Sequence, residues 1–341
     1  MEEENMKKIL AMLLCAIMVM SVLAGCSSGS SGAAAKTGLA VITSVGKSVD
    51  AGAEGDGLAQ TDSMVVAVLV DKNGKILDCK IDAAQTKINF SAEGKLTTDA
   101  ATVFKTKQEL KEAYDMKKAS GIGKEWYEQA DAFAKYVVGK TLSDVKGIAI
   151  NEEGKAGDSD LAASVTVHIG DFVAAVTKAV ESAADLGAKE GDKLGLAVTT
   201  TMEQSADATA EKEGLAQAYS NYAVVTLDKN SKITSCILDA SQGKVNFSTA
   251  GVISTDLTVP VQTKQELKDA YGMKKASGIG KEWYEQANAF ANYCKGKSIS
   301  DIKGIAVDEE GRATNADLTA SVTVHVAPFI SNIEKAAANA K

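Results

Sequence analysis

Apolar and polar positions alternate along the chain in patterns that sort into a few elements. Met64–Val70 is a valine-rich apolar run, Ile76–Asp82 is a second, and Asp71-Lys-Asn-Gly-Lys75 lies between them. An Asn-Gly pair joining two such runs predicts a β-hairpin. Residues 83–106 keep no sustained period and read as irregular. Thr106 with Glu109 three residues on is a capping-box pair that opens a short helix over Thr106–Ala113. Trp126, Ala130, Phe133 and Val137 follow the i, i+4, i+7, i+11 spacing of one helical face, and Thr141-Leu-Ser-Asp144 starts another short helix. Ala163–Ile169 alternates, with Ser164, Thr166 and His168 on one side and Val165, Val167 and Ile169 on the other, which predicts a half-buried strand. Phe172, Val176, Ala179, Val180 and Ala183 form the inner stripe of a last helix.

The whole pattern then returns. A shift of 157 residues places Lys36 on Lys193, Asp71 on Asp228, Trp126 on Trp283 and Thr166 on Thr323, without a gap. One stretch, Met116–Ala130, recurs unchanged at Met273–Ala287, whereas its surroundings have diverged. A period this long marks a duplicated domain rather than a solenoid unit. The expected fold class is α+β: two tandem copies of one domain, each a small antiparallel sheet with helices packed around it. The copies are placed at 36–187 and 188–341, with the join near Ser182–Asp192.

The N-terminus adds a compartment. Lys7 and Lys8 precede an apolar run from Ile9 to Leu23, which ends in Leu23-Ala24-Gly25-Cys26. This has the form of a secretory signal over residues 1–25 and is shorter than the roughly 20 residues a spanning helix needs. The Leu-Ala-Gly-Cys ending resembles a bacterial lipobox, which implies lipidation of Cys26 and an extracytoplasmic chain tethered to the membrane. Residues 26–35 then serve as a Ser/Gly/Ala linker. Met6 suits the start of such a signal better than Met1, because Met1–Asn5 is acidic. The net charge of −8 becomes −7 once residues 1–25, with three Glu and two Lys, are removed. An acidic chain without a basic cluster argues against a nucleic-acid partner. Cys79, Cys236 and Cys294 remain, with no C-x-x-C spacing, so neither iron–sulfur nor c-type haem ligation is indicated. Cys79 and Cys236 are repeat equivalents, and Cys294 takes the place of Val137 as a small core hydrophobe.

Three features carry candidate chemistry. Ser120-Gly-Ile-Gly123 runs into the Trp126 helix, and its repeat does so through Gly278 and Gly280. A glycine loop at a helix start suits an anion such as phosphate, with Lys124 beside it; it serves equally as a plain turn. Asp82-Ala-Ala-Gln85 with Asn89-Phe90-Ser91 is a polar segment that either lines a pocket or caps a turn. His168 and His325 are the only histidines, which is poor support for a metal site, and the acidic turns Asn151–Gly154 and Asp308–Gly311 lack calcium-loop spacing. On a strand, Ser164, Thr166 and His168 would stand about 6.5–7 Å apart per step, too far for a nucleophile–base pair. No catalytic constellation emerges, and an enzyme is not expected.

The hairpin "VAVLVDKNGKILDCKID", the segment "MKKASGIGKEWYEQADAFAKYVVGK" and the closing "DLAASVTVHIGDFVAAVTKAV" together resemble the FMN-binding domain family over most of each copy. Its members include subunits of sodium-pumping and Rnf-type electron-transfer complexes and electron-carrying surface lipoproteins. The closing segment is similar to the family's Asp-x-x-Ser-Gly-Ala-Thr box, whose threonine a flavin transferase esterifies to FMN. The resemblance places the acid at Asp160 and Asp317 and the flavin-bearing hydroxyl at Thr166 and Thr323. The Ser-Gly-Ala of the box is Ala163-Ser164-Val165 here and Ala320-Ser321-Val322 in the second copy. It implies a lipid-anchored electron carrier holding FMN in each copy, covalently through threonine or non-covalently, with a flavin transferase and redox proteins as partners. The alternative is a flavin-free surface binding lipoprotein on the same fold.

Overall fold

The computed structural model describes residues 32–53 and 55–341, so the expected signal at 1–25 and Cys26 lie outside the described residues. The first half contains strands β1 (Ala35–Ser44), β2 (Gly57–Asp71) and β3 (Ile76–Phe90). Helices α1 (Lys107–Leu110), α2 (Trp126–Val137), α3 (Leu142–Lys146), α4 (Ser159–Ala162) and α5 (Gly170–Glu181) follow. The second half repeats the order: β4 (Lys193–Thr201), β5 (Gly214–Leu227), β6 (Ile233–Phe247), α6 (Lys264–Leu267), α7 (Trp283–Cys294), α8 (Ile299–Lys303), α9 (Ala316–Thr319) and α10 (Ala327–Asn339). Each half is an antiparallel three-stranded sheet, ordered β1-β2-β3 and β4-β5-β6, with helices packed on it, as the α+β reading expects.

The valine run has a simple cause. Along β2, Val66, Val68 and Val70 point into a core shared with Trp126, Phe133 and Phe172 of the helices. The alternate residues Val65, Ala67 and Leu69 point into a second apolar layer with Leu194, Leu196, Val198 and Val224 of the other half. Both faces of the strand are therefore buried, which demands a continuous apolar run rather than an alternating one. The layers run helix, sheet, sheet, helix. Gly38 of β1 lies against the carbonyl of Ala179 in α5, and Gly195 lies likewise against Ala336 in α10; a Cβ at either would collide with the helix backbone. These glycines let the last helix of each half sit directly on its edge strand.

The halves meet through contacts that occur in exchanged pairs. Thr43 bridges Val261 while Phe104 bridges Thr200. The amide of Ala51 donates to Gly251 and that of Ala208 to Gly94, both at 2.8 Å. Leu96 donates its amide to Asp207, and Ile253 donates to Asp50. Lys178 pairs with Glu266 at 2.5 Å, and Lys335 with Glu109 at 2.8 Å. Each pair interconverts under the 157-residue shift, so the halves are related as the subunits of a two-fold dimer would be. The interface also holds an apolar cluster around Phe90 and Phe247.

Several expectations are corrected. Strand β1 is an element that the pattern reading above leaves out, although Leu39–Thr43 is an apolar run with β-branched residues. Residues 83–90 are not irregular: they extend β3, and Asp82–Gln85 and Asn89 lie within that strand rather than on a polar loop. Ala163–Ile169 is not a strand. The segment follows α4 as a loop, with Val165 and Ile169 buried and Ser164 bonded to Leu161 through its amide. Alternation arises there because two side chains plug the core from a turn, not because the backbone is extended. The expected hairpin turn forms, with Gly74 left-handed at φ 82°, and Ser231 takes the same conformation at φ 58° in the second half.

Candidate functional site: a glutamine beneath a threonine loop

The unchanged stretch Met116–Ala130 builds a closed local network. Glu125, buried at the start of α2, accepts the backbone N–H groups of Met116 at 2.9 Å and Lys117 at 3.0 Å. Its own amide donates to Glu128 at 2.9 Å, completing the helix start. Ser120 Oγ accepts the amide of Lys124 at 3.3 Å, and Gly123 closes the turn at φ 63°, a left-handed conformation that favours glycine. The Glu125 carboxylate is thus engaged by the amides of Met116 and Lys117, in the turn that precedes the glycine loop. Trp126 fills the core, edge-on to Phe172 with centroids 5.8 Å apart.

Gln129 lies one turn into the helix, fully buried on the apolar face. Its Nε2 donates to Ser120 Oγ and to the carbonyl of Lys124, both at 3.1 Å. Its Oε1 accepts the amide of Thr166 at 2.7 Å, the amide of Val167 at 3.1 Å and the hydroxyl of Thr166 at 3.3 Å. One side chain therefore ties the glycine loop to the threonine loop and satisfies backbone donors that have no ladder to join. The second half reproduces every contact: Gln286 donates to Ser277 and Lys281, and accepts from the amides of Thr323 at 2.7 Å and Val324 at 3.2 Å. The Thr323 hydroxyl donates to Gln286 at 3.1 Å.

The structure thus gathers part of the expected set. Thr166 and Thr323 are half-buried on loops beside Gln129 and Gln286. Gly121, Gly123, Gly278 and Gly280 are exposed on the neighbouring turns, and a Cβ on any of them would meet open space. Asp160 and Asp317 are exposed on α4 and α9, four-residue helices immediately before the threonine loops. His168 is exposed, packed near Gly154. The strand spacing used above to separate Thr166 from His168 does not apply to this loop; what engages the Thr166 hydroxyl is an amide oxygen, which is a poor base. Sequence reading passed over Gln129, yet the signal was present: a polar residue sits at i+3 from Trp126, inside the apolar stripe.

Two cavities lie elsewhere. One of ≈ 450 Å³ opens at the seam between the halves and is lined by Asp82, Gln108, Lys111, Lys135, Leu196 and Lys335. Burial lifts the Asp82 carboxyl to about 6, against hydrogen bonds from Thr106 and from the amides of Gln108 and Ala83 that favour its charged form. The second cavity, of ≈ 440 Å³, lies beside Lys264 and Tyr271 of the second half, with Val45 of the first half in its wall. Residues of the unchanged stretch line neither cavity. Among the described residues, no helix is long and apolar enough to cross a membrane.

Comparison with known proteins yields little. No protein-family model and no solved structure matches the chain. A chlorophenol reductase of Desulfitobacterium hafniense is 48% identical over 42 residues, which is 12% of this chain and 13% of that protein. A match of that extent shows similarity of one short segment and no family.

Proposed function

We propose that the chain is a lipid-anchored extracytoplasmic electron carrier in which Thr166 and Thr323 each hold FMN. The observation that supports this reading is the placement of both threonines on half-buried loops, each donating its hydroxyl proton to a buried glutamine. Ester formation with a phosphate would remove the proton that Thr166 donates to Gln129, and the amides of Thr166 and Val167 would still hold the loop to that glutamine. A loop also suits insertion into a transferase far better than a strand would. The glutamine fixes the loop backbone, so an attached group would stand at a constant place on each half. When bound, FMN supplies the redox chemistry, and the chain supplies attachment and orientation. Cys26 and the Ser/Gly/Ala linker supply the tether, and a flavin transferase and redox proteins are the partners this reading requires.

The test is the visible spectrum of protein made with a flavin transferase, before and after denaturation and desalting. Colour retained through both steps marks covalent FMN, and colour lost on desalting marks non-covalent FMN. One observation favours the second reading, a flavin-free surface binding lipoprotein: both cavities described above lie away from the threonine loops. A colourless protein would leave that reading in place.

A further inference from the structure

The two halves differ in one buried pair. Cys79 of β3 and Cys236 of β6 are repeat equivalents, each in the core that its own half builds between sheet and helices. Where the first half has Val137, the last residue of α2, the second has Cys294, the last residue of α7. Cys236 is 3% exposed and Cys294 is fully buried, and their side chains share a thiol–thiol hydrogen bond. The backbone around them fixes this contact. Just past the helix end, Gly296 donates its amide to the carbonyl of Ile233 at 2.7 Å, and Ile233 donates its own to the carbonyl of Lys297 at 3.0 Å. Lys232 and Ser298 add a bridge beside them. The end of α7 is thereby held on β6 within one turn of both sulfurs.

We propose that Cys236 and Cys294 are the two ends of a disulfide that ties α7 to β6 in the second half alone. Sulfurs in hydrogen-bond contact need approach by only about 2 Å to reach the S–S length of about 2.05 Å. The oxidant is a small disulfide. The thiolate of one cysteine attacks a sulfur of that disulfide and releases one small thiol; the thiolate of the other then attacks the mixed disulfide and releases the second. The two cysteine protons pass to the departing thiolates, and two electrons move from the cysteine pair to the small disulfide. The hydrogen bond with Cys294 and burial hold the Cys236 thiol well above its ordinary range. Because the thiolate is the reactive form, exchange takes place before α7 docks or as it lifts from the core, and docking then seals the bond. The same helix carries Gln286, so the link fixes the far end of the element that clamps the Thr323 loop.

The experiment equilibrates the full chain with reduced and oxidised glutathione until its composition is constant. The chain is then unfolded, its free thiols are blocked with iodoacetamide, and it is digested without reductant. A peptide pair linked through Cys236 and Cys294 is expected, with loss of nearly all iodoacetamide label from both, whereas Cys79 keeps its label. Full labelling of Cys236 and Cys294, or linkage of either to Cys79, overturns the proposal. The oxidised chain is also expected to unfold at a higher denaturant concentration than the reduced chain. Cys294→Val, which copies the first half, is expected to abolish that difference. An oxidised chain no more resistant than the reduced one would show that the link does not hold the helix.

Discussion

Phe90 and Phe247 stack face to face, with ring centroids 4.2 Å apart and planes 8° from parallel, although 157 residues separate them. They are repeat equivalents, so this contact maps onto itself when the halves are exchanged and marks the pseudo-two-fold axis. Both rings are fully buried in a cluster drawn from both halves. Truncation of either should open a cavity at the axis and cost about 3–5 kcal/mol. Phe90→Ala and Phe247→Ala are expected to lower stability by similar amounts in denaturant unfolding. The double variant should fall short of the sum, because the two side chains share one contact.

The glutamine clamp has a local signature. Gln129→Ala removes the acceptor for the amides of Thr166 and Val167. Those two amides are expected to lose hydrogen-exchange protection, whereas Thr323 and Val324, held by Gln286, keep theirs. Uniform loss across both halves would show instead that the clamp supports the whole fold.

A pH dependence follows from Asp82, whose carboxyl rises from 3.8 to about 6 on burial. The folded chain holds this proton more tightly than the unfolded chain does. The associated stability is complete below about pH 4 and is lost as pH rises through about 6. Its size is on the order of 3 kcal/mol. Burial lifts Asp239, the repeat equivalent, from 3.8 to about 7, with the same sign, so Asp82→Asn is expected to reduce the pH dependence of the unfolding free energy across that window and Asp82→Asn with Asp239→Asn to flatten it.

Ser231 occupies the left-handed turn position that Gly74 fills in the first half. Left-handed backbone costs an L-residue roughly 1–2 kcal/mol, of which glycine's greater chain entropy returns part. Ser231→Gly should raise stability by about 0.5–1 kcal/mol, read as an increase in melting temperature.

The residues that announced themselves in the sequence were those with a local cause. Thr106 with Glu109 forms the capping box it spelled out, Trp126–Val137 packs on the face its spacing marked, and Asp71–Lys75 turns where Asn-Gly stands. The features that stayed hidden depend on distant partners. Residues 83–90 pair with Gly57–Met64, a register that no short window reveals. Val165 and Ile169 mimic a strand's alternation while plugging a core from a loop. Gln129 was legible only as an anomaly, a buried amide whose purpose appears once Thr166 lies beside it. Within the duplicated stretch, Glu125 and Ser120 bond to residues of the stretch itself, and Gln129 bonds both to Ser120 and Lys124 and to the loop at Thr166 and Val167, so substitution of any of these three would strand a donor or an acceptor.

The central claim is that the two threonine hydroxyls are flavin acceptors, and intact mass of the full chain produced with a flavin transferase tests it most directly. Two FMN per chain are expected, falling to one in Thr166→Ala or Thr323→Ala and to none in the double variant. An unsubstituted chain that carries no flavin mass, or one whose flavin survives both substitutions, would contradict it.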